Sequence, residues 1–105
     1  MITINIARDF STSPAGRFPE DGPSNGTLFR DDFLLPPLLK GEEVTVVLDG
    51  VSGFGSSFLE EAFGGLVRVH HLSKNFLKDK IKIKFSDKDL TFYADSIIDF
   101  IEDAV

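Results

Sequence analysis

Two adjacent serines, Ser56 and Ser57, are the residues of this sequence whose type and position most directly suggest chemistry. They follow a glycine-rich turn and begin a predicted helix, where the positive end of the backbone dipole would stabilise an attached phosphate. Ser57 also precedes Glu60 by three residues, the spacing of a capping box in which the hydroxyl only caps the helix. The sequence therefore predicts either a phosphorylation site or a helix cap at Ser57, with Ser56 as its neighbour.

Four charged residues form a second candidate site: Arg17, Glu20, Asp21 and Arg30. An arginine side chain can bind a carboxylate or a phosphate group through two parallel hydrogen bonds. One interpretation is thus a recognition loop or an anion site. The other is that the arginines pair with acids close in sequence and fix an otherwise irregular loop. Both interpretations stay open on sequence alone.

The remaining polar signals do not assemble a catalytic centre. Adjacent histidines such as His70 and His71 project to different sides of a helix, so they cannot share a metal as an i, i+4 pair can. Asp49 ends the central predicted strand and could be a catalytic carboxylate, but strand ends often carry aspartate to cap a turn. The glycine-rich turn lacks the lysine of a P-loop and the spacing of a dinucleotide fingerprint. We therefore expect a protein that is not an enzyme and needs neither metal nor cofactor.

Strand patterns supply the framework for these candidates. Apolar residues alternate with polar ones over residues 1–6 and 80–85, as in strands with one buried face. Residues 44–48 are a nearly continuous β-branched run, which is typical of a strand in a sheet covered on both faces. The sequence predicts an α/β fold, with a mixed or mainly parallel sheet of about three to five strands and helices packed on it.

The first helix and the segment before it are the least regular part of the prediction. Apolar residues recur at helical spacing over residues 28–34, and Pro36 and Pro37 are expected to end that helix. Residues 9–26 are dense in serine, proline, glycine and charge, which predicts an irregular loop or a short hairpin arm.

Two more helices complete the predicted layout. The second should begin at Ser56 or Ser57 and run to Val69, and a last amphipathic helix should cover residues 90–101. Gly64 and Gly65 lie inside the second helix, where each costs about 1 kcal/mol relative to alanine. We expect them to permit a close approach of other atoms to the helix backbone.

Length and charge narrow the function classes. A chain of 105 residues fits one domain covering residues 1–105. Its net charge of −6 disfavours nucleic acid and anionic membranes as partners, because both demand a basic surface, and leaves a protein partner as the better expectation. The first residues alternate like a strand instead of resembling a signal peptide, and no apolar run is long enough to span a membrane, which favours the cytoplasm.

The strand, turn and helix around the two serines resemble the STAS domain family, the anti-sigma factor antagonists. In that family a central strand leads into a short Asp-Ser-Ser/Thr-Gly motif at the start of a helix. The chain is more closely similar to a STAS-like family of small bacterial proteins of unknown function. Three motifs carry that similarity, over about residues 16–69: the Gly-Arg and acidic loop at 16–26, Phe29-Arg30, and Ser-Ser-Phe-Leu-Glu-Glu-Ala-Phe at 56–63.

The resemblance implies a regulatory role for the serine motif. In the antagonists, a partner kinase related to histidine-kinase ATPases phosphorylates the serine or threonine that aligns with Ser57, and phosphorylation breaks the complex. Here Gly55 and Phe58 replace the aspartate and glycine of that motif. The expected function is a protein-binding module that docks on a kinase-like ATPase or another regulator through Phe54, Phe58 and the serines. The alternative is a small-ligand or nucleotide-binding module with an anion site at Arg17, Arg30 and Ser56.

Overall fold

The fold is built on a three-stranded parallel sheet, in a computed structural model that describes residues 1–105. The strands are β1 (Ile2–Asn5), β2 (Val44–Val47) and β3 (Ile81–Lys84), and they lie side by side in the order β1-β2-β3. Ile2 lies opposite Val44, and Val44 lies opposite Ile81. The prediction of an α/β fold with a mainly parallel sheet is confirmed.

Five helices connect and flank these strands. The short α1 is Ile6–Asp9, α4 is Lys74–Lys80 and α5 is Thr91–Asp103. The other two are continuous helices, each interrupted by one π-helical turn. In α2, residues 26–39, the π turn is Arg30–Leu34, and in α3, residues 56–68, it is Glu60–Gly64. None of the five helices combines the length and the apolar character needed to cross a membrane.

The sheet is covered on one face only. Ile4, Val44, Val46 and Ile81 point into the core, where they pack with apolar residues of the helices. On the opposite face Thr3, Lys82 and Lys84 are exposed and Thr45 and Val47 are half-buried. The expectation that β2 belongs to a sheet covered on both faces is therefore wrong, because β-branched residues suit a half-exposed strand as well as a buried one.

Pro36 and Pro37 do not end α2, contrary to the prediction. The π turn immediately before them places both prolines in the first turn of the closing segment Leu35–Leu39. A proline is tolerated there because its missing N–H group is not needed. The helix consequently reaches Leu39.

Two further segments differ from the predicted layout. The predicted loop of residues 9–26 is shorter, because Asp9 ends α1 and Gly26 begins α2; residues 10–25 are irregular with a single 3-10 turn, Pro19–Asp21, and no hairpin arm. Helix α4 had not been predicted. Its start is marked by Ser73, whose hydroxyl accepts a hydrogen bond from the Phe76 N–H group at 3.0 Å.

Candidate functional site

The first candidate is the serine turn, which we define as residues 53–57. Gly55 is the residue before α3, and Ser56 and Ser57 are the first residues of the helix, as predicted. No side chain caps this end of α3, and both serines are exposed. The expected capping box is therefore wrong: the Ser57 hydroxyl does not cap the helix, and Glu60 turns towards two arginines instead.

An open depression, the aromatic groove, lies beside the serine turn between α3 and α5. It has a volume of about 310 Å³. Its lining residues come from the serine turn and both helices: Phe54, Ser56, Leu59, Phe92, Tyr93, Ser96 and Phe100. Phe92 is 73% exposed and contacts Tyr93 edge-on, with ring centroids 5.6 Å apart. An exposed aromatic ring such as Phe92 beside exposed serine hydroxyls is a feature that core packing does not require.

Phe54 and Phe58 were expected to be exposed, and the structure corrects this. Phe58 is fully buried and packs on Phe29 with the ring planes tilted by 44°, whereas Phe54 is 9% exposed and packs on Tyr93, with ring centroids 5.0 Å apart. Phe58 consequently belongs to the core. Phe54 forms the inner wall of the aromatic groove.

The second candidate is an ion cluster made of Arg17, Arg30, Glu60, Glu61 and Arg68. Glu60 accepts hydrogen bonds from Arg17 Nη1 at 2.5 Å and from Arg68 Nη1 at 2.8 Å. Glu61 accepts one from Arg30 Nη1 at 2.5 Å, and Arg68 Nη2 lies 3.2 Å from its second oxygen. The side chains of Arg30 and Glu61 are only 4% and 5% exposed. Three arginines thus share two glutamates where α2, α3 and the loop meet.

Asp31 and His70 extend the ion cluster at its edge. Asp31 accepts hydrogen bonds from Arg30 Nε at 2.8 Å and lies 2.9 Å from His70 Nε2. Burial raises the pKa of Asp31, but hydrogen bonds from Arg30 and His70 outweigh it and lower the pKa below its usual value. The same balance holds at Glu60, where burial opposes the hydrogen bonds from Arg68 and Arg17, and the net pKa is lowered. Both carboxyl groups are therefore held ionised by their partners.

Gly64 and Gly65 make room for the ion cluster. A Cβ atom at Gly64 would lie 2.6 Å from Glu60 Oε2, and one at Gly65 would overlap Arg30 Nη1. The close approach predicted for these glycines is therefore made by charged side chains. The π turns of α2 and α3 contact each other at this place, and the buried Arg30–Glu61 pair joins them.

The other predicted site residues, Asp49, Asp21 and Glu20, are not part of the ion cluster. Asp49 accepts hydrogen bonds from the Ser86 backbone at 3.0 Å and from the Ser86 hydroxyl, and it thereby ties the ends of β2 and β3 together. The Ser86 backbone hydrogen bond lowers the pKa of Asp49.

In the loop, Asp21 accepts hydrogen bonds from the backbone N–H groups of Arg17 and Phe18 and so shapes the loop. Glu20 is exposed. Arg17 and Arg30 pair with α3 and Asp31, not with Glu20 or Asp21.

A comparison with protein-family models matches residues 25–91 to the STAS-like domain of unknown function (DUF4325). The chain belongs to this STAS-like family. The match contains the serine turn, both π turns and most of the ion cluster, whereas the loop with Arg17 precedes it. It continues beyond residue 69, where the motif similarity was thought to end. No curated protein and no solved structure matches the chain.

Sequence reasoning missed several residues of both regions of this STAS-like domain. Phe92 lies off the apolar stripe of α5 that faces the core, and an aromatic residue off such a stripe is the signal that was available. Tyr93 and Phe100 are half-buried and pack against the core at the edge of that stripe. Glu61 pairs with Arg30, 31 positions earlier, and Arg68 pairs with Glu60 and Glu61 two helical turns earlier on α3. No local pattern marks such pairs.

Proposed function

We propose that this STAS-like domain is a non-catalytic regulatory module of the cytoplasm that binds a protein partner through the serine turn and the aromatic groove. The partner is a kinase-like ATPase or another regulator, and phosphorylation of Ser57 switches the complex. The observation that carries this proposal is that two serine hydroxyls, which do not cap the helix, are exposed beside an open apolar groove.

The surroundings of Ser57 support its role as phosphoacceptor. The hydroxyl is free of the capping function that would otherwise explain it, and a kinase can reach it because the residue is exposed. Its place in the first turn of a 13-residue helix puts a phosphate in the favourable field of the helix dipole. Phosphorylated Ser57 would thus be compatible with the fold.

A phosphate at Ser57 would oppose docking on the neighbouring groove. Phosphorylation adds about −1.5 to −2 charges at neutral pH and carries a strongly bound hydration shell. A partner that closes over the aromatic groove would have to strip water from this group, which costs free energy unless the partner supplies new bonds. The modification therefore acts as a release signal.

The ion cluster does not favour the alternative of an anion-binding module. Arg30 is buried and already bonded to Glu61 and Asp31, and Arg17 is bonded to Glu60. An incoming phosphate or carboxylate would have to displace a carboxylate that the protein itself provides. Arg17 bonds the loop to Glu60 and Glu61 of α3, and only Arg30 pairs with an acid close in sequence, Asp31, as the second interpretation expected.

The test begins with affinity capture from the native host by tagged wild-type protein and by the Ser57→Asp and Ser57→Ala variants. The proposal expects an ATPase or regulator to bind wild type and Ser57→Ala but not Ser57→Asp. Incubating the purified ATPase, ATP and the wild-type domain should then add the mass of one phosphoryl group, and Ser57→Ala should gain none. Equal capture by all three baits, or phosphorylation that persists in Ser57→Ala, contradicts Ser57 as the switch.

A further inference from the structure

Three aspartates of α5 form a stripe with no cationic partner. Asp95, Asp99 and Asp103 are exposed, follow one another at four-residue spacing, and take part in no salt bridge. In contrast, Glu102 on the same helix is paired with Lys78. Like charges at this spacing weaken a helix, and Asp103 near its C-terminus opposes the helix dipole. The aspartate stripe thus costs stability and stabilises nothing within the chain.

The aspartate stripe borders the aromatic groove. Phe92, Ser96, Asp99 and Asp103 are spaced by four, three and four residues, so they share one side of α5. Phe92 and Ser96 line the groove, and the two aspartates continue the same side of the helix beyond it. The segment from Thr91 to Val105 contains no lysine, arginine or histidine that could neutralise them. The groove therefore combines an apolar floor with an acidic border.

We propose that the aromatic groove binds a short basic segment of a partner protein. One large apolar side chain of that segment enters between α3 and α5, and neighbouring lysines or arginines face the aspartate stripe. The location rests on the function proposed above, whereas the chemistry of the segment is inferred from the groove and its border. Charge complementarity of this kind steers association and selects partners.

A second copy of this chain is a poor occupant of the same groove. In a symmetric dimer formed by α5 against α5, both copies would bring their aspartate stripes to one interface. Like charges placed opposite each other repel and disfavour such an interface. The acidic border therefore excludes self-association here and favours a basic partner.

The experiment is an NMR titration of the ¹⁵N-labelled domain with three synthetic peptides. The probes are Lys-Lys-Phe-Lys-Lys, the same peptide with alanine in place of phenylalanine, and Glu-Glu-Phe-Glu-Glu. We expect the first peptide to shift the amide signals of Ser56, Phe92 and Ser96. The other two should bind at least about tenfold more weakly, because one lacks the apolar side chain and the other meets like charge.

Two triple variants with equal net charge test the aspartate stripe. D95N/D99N/D103N should weaken binding of the first peptide about tenfold, as expected for a few exposed ion pairs. The control E20Q/D32N/D79N neutralises three exposed acids elsewhere and should leave binding unchanged. The spectra also report that each variant is folded.

The inference is overturned if the phenylalanine and alanine peptides shift the same signals equally. It is also overturned if the two triple variants bind alike, or if no peptide reaches the groove. None of these results changes the outcome expected from the phosphorylation experiment, which uses Ser57 and the native ATPase. A phosphorylation-dependent partner with no basic segment would leave the proposed function in place and remove only this inference.

Discussion

The ion cluster and the serine turn lie on the same helix, α3, but their polar groups are satisfied in opposite ways. In the ion cluster every charged group has an oppositely charged partner, and the central pair, Arg30 and Glu61, is buried. At the serine turn the hydroxyls cap nothing and face solvent beside exposed aromatic surface. The ion cluster thus joins the loop and α2 to α3, whereas the exposed hydroxyls of the serine turn have no capping role in the helix.

This contrast shows that residue type is a weaker guide to function than the state of a residue's hydrogen bonds. Arginines and glutamates suggest recognition when they are seen in a sequence, but buried charges must be paired within the protein. Serines at a helix start suggest capping, but the hydroxyls of Ser56 and Ser57 do not cap the helix. Substitutions in the ion cluster and in the serine turn should therefore change the free energy of unfolding by different amounts.

The largest effect is expected from Glu61→Ala, which removes the carboxylate from Nη1 of the buried Arg30 and leaves only Asp31 at its Nε. Removing one partner of a buried ion pair costs about 3–5 kcal/mol of unfolding free energy, measured by urea denaturation. Replacing both partners, as in Arg30→Met/Glu61→Leu, should recover most of that loss. A cost below about 1 kcal/mol for Glu61→Ala would mean that the pair is not buried in solution.

Gly26→Ala should break the packing of α2 on α3 near the ion cluster. The added Cβ would lie 2.7 Å from the Phe58 carbonyl oxygen, which is backbone and cannot move aside easily. We expect a loss of about 1–3 kcal/mol in unfolding free energy. Gly53→Ala in the serine turn is the matched control, because nothing lies within 4 Å of its Cβ position. Equal losses at the two glycines would contradict the difference in packing.

Acid should weaken the ion cluster before it affects the serine turn. The pKa values of Glu60 and Asp31 are lowered in the folded protein, so both carboxyl groups favour folding above their ordinary pKa values of 4.5 and 3.8. That contribution is lost as pH falls below about 4.5 and through the lowered values. Urea denaturation from pH 7 down through this range should show two differences from wild type. Glu60→Gln should have the lower free energy of unfolding at pH 7, and it should lose less of that free energy on acidification. Parallel pH curves for variant and wild type would contradict the argument.

The smallest effect is expected from Ser57→Ala. Since the hydroxyl caps nothing, its loss should change the unfolding free energy by less than about 0.5 kcal/mol. Ser73→Ala removes a hydroxyl that does cap a helix and should cost about 1 kcal/mol. If thermal denaturation finds the two substitutions equally costly, Ser57 is a cap in solution and its proposed freedom is wrong.

The sequence predicted the elements well because local patterns determine them. The alternation at Ile2–Asn5 and Ile81–Lys84 and the apolar stripe of α5 identified two strands and a helix to within a few residues. The start of α3 at Ser56 was also predicted. These features depend on periodicity and turn residues, which a single sequence displays.

The candidate site was less predictable because its geometry depends on distant contacts. Arg30 and Glu61 are 31 positions apart, and nothing near either residue shows that they pair. The choice between an α turn and a π turn at Glu60–Gly64 depends on small energies that packing against α2 decides. Phe54 and Phe58 were placed at the surface because a loop and a helix start are usually exposed, whereas tertiary packing buried both.

The all-parallel sheet has a consequence for how this chain folds. Ile2 pairs with Val44 and Val44 with Ile81, so each strand pair must close a loop of roughly 40 residues before any sheet exists. No hairpin is available to nucleate the sheet. Folds whose contacts join residues far apart in sequence form slowly, typically in milliseconds or longer. Because β3 and α5 come last of all these elements, a ribosome must release every residue from β1 to Asp103 before the sheet and the aromatic groove can form together.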